Sequence, residues 1–302
     1  MARQRILITG SNGLLGQKLI AALRDDDGTD LIATSRGEDR STDPLGDRYR
    51  SLDITDKAAV QAVFDEVRPE AVIHTAAMTN VDACELDAEA CRIQNVEATR
   101  HLVEAARELD SHFIFLSTDF IFDGEAGPYR EDDVPAPLSV YGRSKLEGER
   151  LVQESGLPRW AIARTIIVYG TAPGLSRSNV VLWAKQALEK GDPIRVVNDQ
   201  WRMPTLAEDL ADGCVRIARQ GATGTFHLSG PDGMSILELV ERVGAFFGLD
   251  TTMVTPVKSD TLGQPARRPP RTGFVLDKAR RELGYAPHTF EEGLAILRDQ
   301  LV

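Results

Sequence analysis

Cysteine is scarce in this 302-residue chain: there are three, Cys84, Cys91 and Cys214. An odd number without close spacing fits neither a disulfide framework nor a structural zinc site. Cys84 and Cys91 lie seven residues apart and are expected to share one helix face as small buried thiols, reduced in a cytoplasmic protein. Positive charge is also short. Lys and Arg total 35 against 46 Asp and Glu, a net charge of -11, which argues against a general nucleic-acid binder or a basic membrane-surface protein. A locally positive pocket, or a set of backbone N–H groups, can still hold a small anion on such a protein. No apolar run approaches the roughly 20 residues that span a bilayer. The opening MARQRILITG enters a strand-like segment directly, with no apolar leader region before it. His74, His112 and His227 fall on or beside strand-like segments without metal-ligand spacing, so they read as core or edge residues and no metal is expected.

What the chain does have is apolar periodicity. Hydrophobic residues make up 42% and charged residues 27%, enough for one large α/β domain or two smaller ones. Residues 6–9, 31–34, 71–76, 113–117 and 160–166 read as short buried strands. Between them, Leu15, Leu19, Ala22 and Leu23 fit one helical face, and Val60, Val63, Phe64 and Val67 fit another. Buried strands alternating with amphipathic helices predict an α/β fold with a doubly wound parallel sheet of Rossmann type. Ligands in such folds sit at the carboxyl ends of the strands.

After about residue 170 the rhythm changes. Pro173, Gly174 and Ser176 mark a loop, residues 179–189 a helix, and residues 194–197 a strand. The segment 225–229 reads as a strand that returns to the main sheet, while 260–272, rich in Pro and Arg, is a loop. Residues 1–170 are therefore expected to form the dinucleotide-binding domain, and 171–302 mostly a smaller, discontinuous substrate-binding lobe.

The first strand ends in Thr9-Gly10-Ser11-Asn12-Gly13-Leu14-Leu15-Gly16 and runs straight into a helix. Glycines there allow a sharp bend and close approach of a pyrophosphate, and the helix N-terminus offers N–H groups and a favourable dipole. The spacing is G-x-x-G-x-x-G, and no G-K-[ST] follows, so it is not a P-loop. Gly10, Asn12, Gly13, Leu14, Leu15 and Gly16 are the candidate dinucleotide contacts. An acidic residue at the end of the second strand would favour NAD. This chain has Ser35 and Arg36 instead. A guanidinium can pair with a 2′-phosphate, so NADP(H) is preferred, with NAD(H) as the second choice. The plainer alternative is that Arg36 is a solvated loop charge.

Tyr141 and Lys145 lie four apart at the start of a helix and project from the same face. A phenol normally ionises near pH 10, and a nearby ammonium lowers that value, so the phenol can protonate an alkoxide formed from a carbonyl. Y-x-x-x-K alone is a common spacing on exposed helices. Ser117-Thr118 at the end of the preceding strand raises it, because a hydroxyl there can bond to the same carbonyl.

With these three features together, the chain resembles the extended short-chain dehydrogenase/reductase family. More narrowly, residues 117–124 (STDFIFDG), 141–149 (YGRSKLEGE), 164–170 (RTIIVYG) and 197–205 (VNDQWRMPT) resemble the dTDP-4-dehydrorhamnose reductases, in the same order and across nearly the whole chain. That resemblance implies that Gly10, Gly13, Leu14 and Leu15 cover the pyrophosphate, and Asp53 and Ile54 meet adenine. It implies that Ala76, Ala77 and Thr79 line the cofactor groove. It makes Tyr141 the proton donor, Lys145 the ribose ligand that tunes it, and Thr118 the group polarising the carbonyl, with Asp119 beside it. Asn179, Gln200 and Arg202 fall where the family builds its nucleotide-sugar pocket, and Arg267, Arg268 and Arg271 are diphosphate candidates, or a solvated arginine-rich loop.

Three departures stand out. The family's usual tryptophan against the sugar is Ile167 here, Trp201-Arg202-Met203 replaces smaller residues before Pro204-Thr205, and Lys18 stands where some members carry a metal-bridging glutamate of a dimer. A lysine cannot serve as that ligand. The implied activity is NADPH-dependent reduction of the 4-keto group of a nucleotide-activated deoxysugar by a cytoplasmic monomer or homodimer. The alternatives are a non-catalytic NADP-binding regulatory subunit and a nucleotide-sugar epimerase of the same family. Phe120 stands where a dehydratase would carry glutamate after Asp119, which disfavours that chemistry.

Overall fold

The computed structural model describes residues 3–175 and 178–301, so the loop expectation at Ser176 lies outside the described residues. The chain forms strands β1 (Gln4–Thr9), β2 (Thr29–Ser35), β3 (Tyr49–Ser51), β4 (Ala71–His74), β5 (His112–Thr118) and β6 (Trp160–Thr165). Short strands β7 (Val168–Tyr169), β8 (Ile194–Val197), β9 (Trp201–Arg202) and β10 (Thr205–Leu206) follow, then β11 (Gly224–His227), β12 (Met234–Ser235) and β13 (Val254–Val257). The helices in the first half are α1 (Leu14–Leu23), α2 (Lys57–Val67), α3 (Val81–Leu86), α4 (Ala88–Arg92), α5 (Ala98–Glu108) and α6 (Val140–Gln153). Those in the second half are α7 (Val180–Lys190), α8 (Ala207–Gln220), α9 (Ile236–Phe247), α10 (Asp277–Leu283) and α11 (Phe290–Gln300).

Among the described residues the main sheet has seven strands in the order β11-β6-β5-β4-β1-β2-β3, every neighbouring pair parallel. Alternate side chains of β1 go to opposite faces, as strand geometry requires. Ile6 and Ile8 join Leu19, Ile20, Leu210 and Cys214 on one side, while Leu7 joins Val60, Phe64, Leu102 and Phe113 on the other. Both faces are thereby covered, which is why the strands read as continuous apolar runs. The strand order reverses between β1 and β4. The crevice outside their carboxyl ends is where such a sheet receives a ligand.

A separate apolar cluster forms from α7, α9 and α11 with β8, centred on Val181, Ala184, Leu188, Val196, Leu239, Val243 and Leu294. Residues 207–228 do not belong to it. Helix α8 packs its Leu210, Cys214 and Ile217 on the main sheet, and β11 pairs with β6.

Two local expectations are corrected. Cys84 and Cys91 do not share a helix, because Asp87 ends α3 and its side chain caps α4. Both thiols are nonetheless buried together. The strand expected over 71–76 stops at His74, where the Thr75 amide and hydroxyl both donate to the Thr9 carbonyl, at 3.2 and 2.6 Å. Residues 75–80 form an irregular loop leading into α3.

Candidate active site

Gly10 turns the chain after β1 with φ +75, and a Cβ there would stand 2.7 Å from the Ala76 nitrogen. Only glycine meets both demands. The turn thus lies directly against the loop after β4, bringing Gly10, Gly13, Leu14 and Leu15 to the same crevice as Ala76 and Ala77, with Thr79 exposed farther along that loop. Gly13 precedes the first residue of α1 and no side chain caps that helix, so its N-terminal amides face the turn. Gly16 is buried in the first turn of α1. Asn12 has a scaffolding role instead of an open one. Its amide donates to the Glu38 carbonyl at 2.8 Å and accepts from the Arg40 amide at 3.0 Å, tying the glycine turn to the loop after β2.

Ser35, half-buried, ends β2, and Arg36, exposed, opens that loop. Hydrogen bonds from Thr55 hold the Asp53 carboxyl below its ordinary range, and the field of the Arg36 guanidinium adds to the effect. Ile54 is buried behind them. The groups expected around adenosine and its 2′-substituent therefore gather at the carboxyl end of β2.

The candidate proton-handling residues lie at the start of α6, against the end of β5. Ser139 caps α6 by accepting from the Gly142 amide. A Cβ at Gly142 would fall 2.2 Å from the Phe120 carbonyl oxygen, so glycine lets the start of α6 press against the end of β5. Tyr141 and Lys145 are 8% and 4% exposed. Tyr141 packs edge-on against Phe120 at 5.8 Å and touches Cys84 and Cys91. The Lys145 ammonium lies 4.0 Å from the centre of the Phe115 ring. Burial pushes the Tyr141 phenol above its usual value, and its hydrogen bond with Thr118 works the other way. Burial likewise pushes Lys145 down to about 7, against the opposing field of Glu149. Burial therefore leaves the phenol above its ordinary value, where the sequence led us to expect the ammonium to lower it.

Thr118 closes β5. It accepts from the Phe120 amide at 3.2 Å and donates to Asp119 Oδ1 at 3.1 Å. Asp119 is 2% exposed, and its other oxygen accepts from Thr272 at 2.5 Å with the Arg202 Nε 3.7 Å away. Both oxygens are therefore engaged. Arg202 is equally buried and donates to the carbonyls of Trp201 and Pro269 at 2.7 and 2.8 Å. Gln200 is buried beside it in the chain, its carbonyl accepting from Ile236. Asn179 caps α7, and its amide also donates to the Gly170 carbonyl at 2.7 Å, so its polar ends are committed to the main chain. Arg268 pairs with Asp82 at 2.7 Å, while Arg267 and Arg271 are exposed. Ile167 has φ +36, an unfavourable conformation for a β-branched residue, and its neighbours are pinned by Thr205, which bonds to the Ile166 and Ile167 carbonyls. Lys18 pairs with Glu208 at 2.8 Å.

Three supporting groups escaped the sequence reading. Asn95, 1% exposed in a π-helical stretch between α4 and α5, accepts from the Met78 amide at 2.7 Å and donates to Ser144 at 3.0 Å. It fixes the residue next to Lys145 against the crevice loop. A single-turn π insertion with a buried amide has no pattern in apolar periodicity. Arg164 and Glu149 form a buried two-point ion pair at 2.9 and 2.8 Å beneath Lys145. Thr272 lies 153 residues from the aspartate it holds.

No cluster of metal-ligating side chains is found among the described residues, and no helix among them is long and apolar enough to cross a membrane. A family model described as RmlD substrate binding domain matches residues 4–302. A probable low-salt glycan biosynthesis reductase of Haloferax volcanii is 33% identical, with 96% of each chain covered. A dTDP-4-dehydrorhamnose reductase of Streptomyces griseus is 35% identical, over 92% of this chain and 87% of that one. Methionine adenosyltransferase 2 subunit beta of Xenopus laevis is 30% identical, over 87% of this chain and 78% of that one. The solved dTDP-4-dehydrorhamnose reductase of Bacillus anthracis in complex with NADP superimposes with a TM-score of 0.85 at 28% identity, 99% of each chain covered. With a doubly wound sheet, a glycine turn at its crevice and a buried Thr–Tyr–Lys group opposite, the chain belongs to the RmlD substrate-binding-domain family.

Proposed function

We propose that this protein reduces the 4-keto group of a nucleotide-activated deoxysugar, as a dTDP-4-dehydrorhamnose reductase does, with NADPH as the reductant. The observation that carries the reading is the gathering of Thr118, Tyr141 and Lys145 in one buried cluster facing the glycine-turn crevice. The crevice fits the dinucleotide on its own chemistry: a cradle at Gly10 that a Cβ would fill, an uncapped helix N-terminus, and Arg36 exposed at the carboxyl end of β2. When bound there, NADPH supplies hydride to the carbonyl carbon.

The chain's own residues handle the oxygen. Tyr141 donates its phenolic proton to the developing alkoxide. Its phenolate is then stabilised by the Lys145 ammonium, whose charge Glu149 favours. Thr118 opposes the effect of burial on the phenol and so favours its phenolate form. Burial excludes water from this exchange, strengthening each electrostatic contact. Ile167 is aliphatic and provides no aromatic platform, so the sugar is to be held instead by the arginine-rich segment, where Arg267 and Arg271 are exposed. The three buried thiols fit a reducing, cytoplasmic setting.

The test is consumption of NADPH by the purified protein with a dTDP-4-keto-6-deoxysugar, followed by absorbance. Tyr141→Phe should abolish turnover and preserve NADPH binding. Similarity to a methionine adenosyltransferase beta subunit favours a second reading, a binding subunit without turnover. NADP binding with no consumption of NADPH in the presence of the keto sugar would select it, although all three reactive side chains are retained here.

A further inference from the structure

Residues 266–272 are fastened at both ends. At the C-terminal end the Thr272 hydroxyl donates to Asp119 at 2.5 Å, and its amide donates to the Trp201 carbonyl at 3.1 Å. The Trp201 amide donates in turn to the Pro270 carbonyl at 2.8 Å. A Cβ at Gly124 would stand 2.7 Å from the Pro270 ring, so this end also lies directly on the loop after β5. At the N-terminal end the bonds converge on one carboxylate. Asp82 Oδ1 accepts from the Ala266 amide at 3.2 Å and from Arg268 at 3.1 Å, and Oδ2 accepts from the other terminal nitrogen of Arg268 at 2.7 Å. Arg268 also donates to the Ala266 carbonyl at 3.1 Å. The guanidinium holds the Asp82 carboxyl below its ordinary range, so the pair is ionic. A two-point pair that also takes a backbone amide is better defined than the single surface contacts that contribute little.

Each fastening adjoins the surroundings of Tyr141. Val81, next to Asp82, and Phe120, next to Asp119, both pack against the buried group of Tyr141, Cys84 and Cys91. The helix that carries Asp82 also holds the start of α6, where Glu85 accepts from the Val140 amide at 2.9 Å. The segment therefore runs beside the Tyr141 group, from α3 to the end of β5. Arg267 and Arg271 on it are exposed, whereas Arg268 is committed to Asp82. Resting on the reductase reading above, we propose that Asp82 is a positioning residue for substrate binding. It fastens Arg268 and Ala266 so that the segment stands in place beside Tyr141, and Arg267 and Arg271, not Arg268, meet the diphosphate of the nucleotide sugar. A segment already held in place has less freedom to lose when the anion binds, so the benefit falls on affinity and not on the chemical step.

The experiment measures kcat and KM, for the keto sugar and for NADPH, in the full chain and four variants of it. Asp82→Ala and Arg268→Ala should each raise the KM for the sugar about fivefold or more, with kcat and the KM for NADPH within about twofold of the parent. The double variant Asp82→Ala/Arg268→Ala should be no worse than either single one, because both remove the same fastening. Arg267→Ala/Arg271→Ala should raise the KM for the sugar at least as far. If the parent does not consume NADPH with the keto sugar, the reductase reading fails and this inference with it. With the parent active, an unchanged KM in Asp82→Ala overturns the fastening role alone. A rise confined to Arg268→Ala does the same, since Arg268 would then be the anion ligand itself, and so does an unchanged KM in Arg267→Ala/Arg271→Ala. Parallel rises in both KM values with a falling melting temperature overturn it too, because general loosening and not placement of the segment would then be responsible.

Discussion

Glu149 stands one helical turn beyond Lys145 on α6, and this single buried carboxylate serves two cations. It opposes the burial cost of the Lys145 ammonium, and it receives Nε and a terminal nitrogen of Arg164 at 2.9 and 2.8 Å. The helix that presents Tyr141 and Lys145 is thereby anchored to β6 from below. Arg164 also reaches the Glu131 carbonyl at 3.0 Å, which extends the anchor to the loop before α6.

Removing that carboxylate should be costly to the fold. In Glu149→Gln the guanidinium of Arg164, 3% exposed, loses its charge partner. Breaking one side of a buried pair costs about 3 kcal/mol. Urea denaturation should show a loss of that order, and the double variant with Arg164→Met should recover part of it. A loss below about 1 kcal/mol would mean the pair contributes little to stability.

Lys145 should show the opposite balance between stability and activity. Its amine falls to about 7 in the fold from an ordinary 10.5, because burial disfavours the charged form. Below pH 7 both folded and unfolded chains carry the charge, and the folded state bears the whole burial cost. Between pH 7 and 10.5 the unfolded chain binds more protons, so stability rises with pH. Lys145→Met should therefore abolish reduction yet raise the melting temperature at pH 6, with the gain shrinking by pH 9. A gain that is the same at both pH values would show that the ammonium is not the source.

Arg36 should decide between the two nicotinamide cofactors. It is exposed at the carboxyl end of β2, where a 2′-phosphate would sit. Arg36→Ala should reduce the ratio of kcat/KM for NADPH over NADH by about tenfold or more, as expected for loss of a charged hydrogen bond. An unchanged ratio would make Arg36 an ordinary solvated charge.

Gly10 is the position where backbone geometry alone should control cofactor binding. Alanine there would have to adopt φ +75 and bring its Cβ within 2.7 Å of the Ala76 nitrogen. Gly10→Ala should weaken NADPH binding, measured by titration of its fluorescence, by at least about tenfold while the melting temperature falls by only a few degrees. Undiminished affinity would show that the turn does not touch the dinucleotide.

How much of this was legible beforehand depended on the range of the interactions. Strands and helices of the first half could be read because burial on two faces writes itself as apolar runs and helical spacing, and because Gly10 and Tyr141/Lys145 are local patterns. The break between Cys84 and Cys91 was missed because Asp87, an ordinary solvated residue by composition, ends one helix and caps the next. The roles of Asn12, Asn179 and Asp119 read as open ligands in one dimension. In three, their polar atoms are taken by Glu38, Gly170 and Thr272.

Residue order was therefore sufficient for the α/β class and for picking out the glycine turn and the candidate residues Thr118, Tyr141 and Lys145, since each lies within one strand, turn or helix. The tertiary structure alone decided the electrostatics of that chemistry. Desolvation of Tyr141 and Lys145 comes from Phe115, Phe120 and the two cysteines packed around them. The partners that offset it, Glu149 with Arg164 and Asp119 with Thr272 and Arg202, are joined across 15, 153 and more than 80 residues of chain. Such pairs leave no periodic trace, because the cost of burying a charge is set by what surrounds it after the chain has closed.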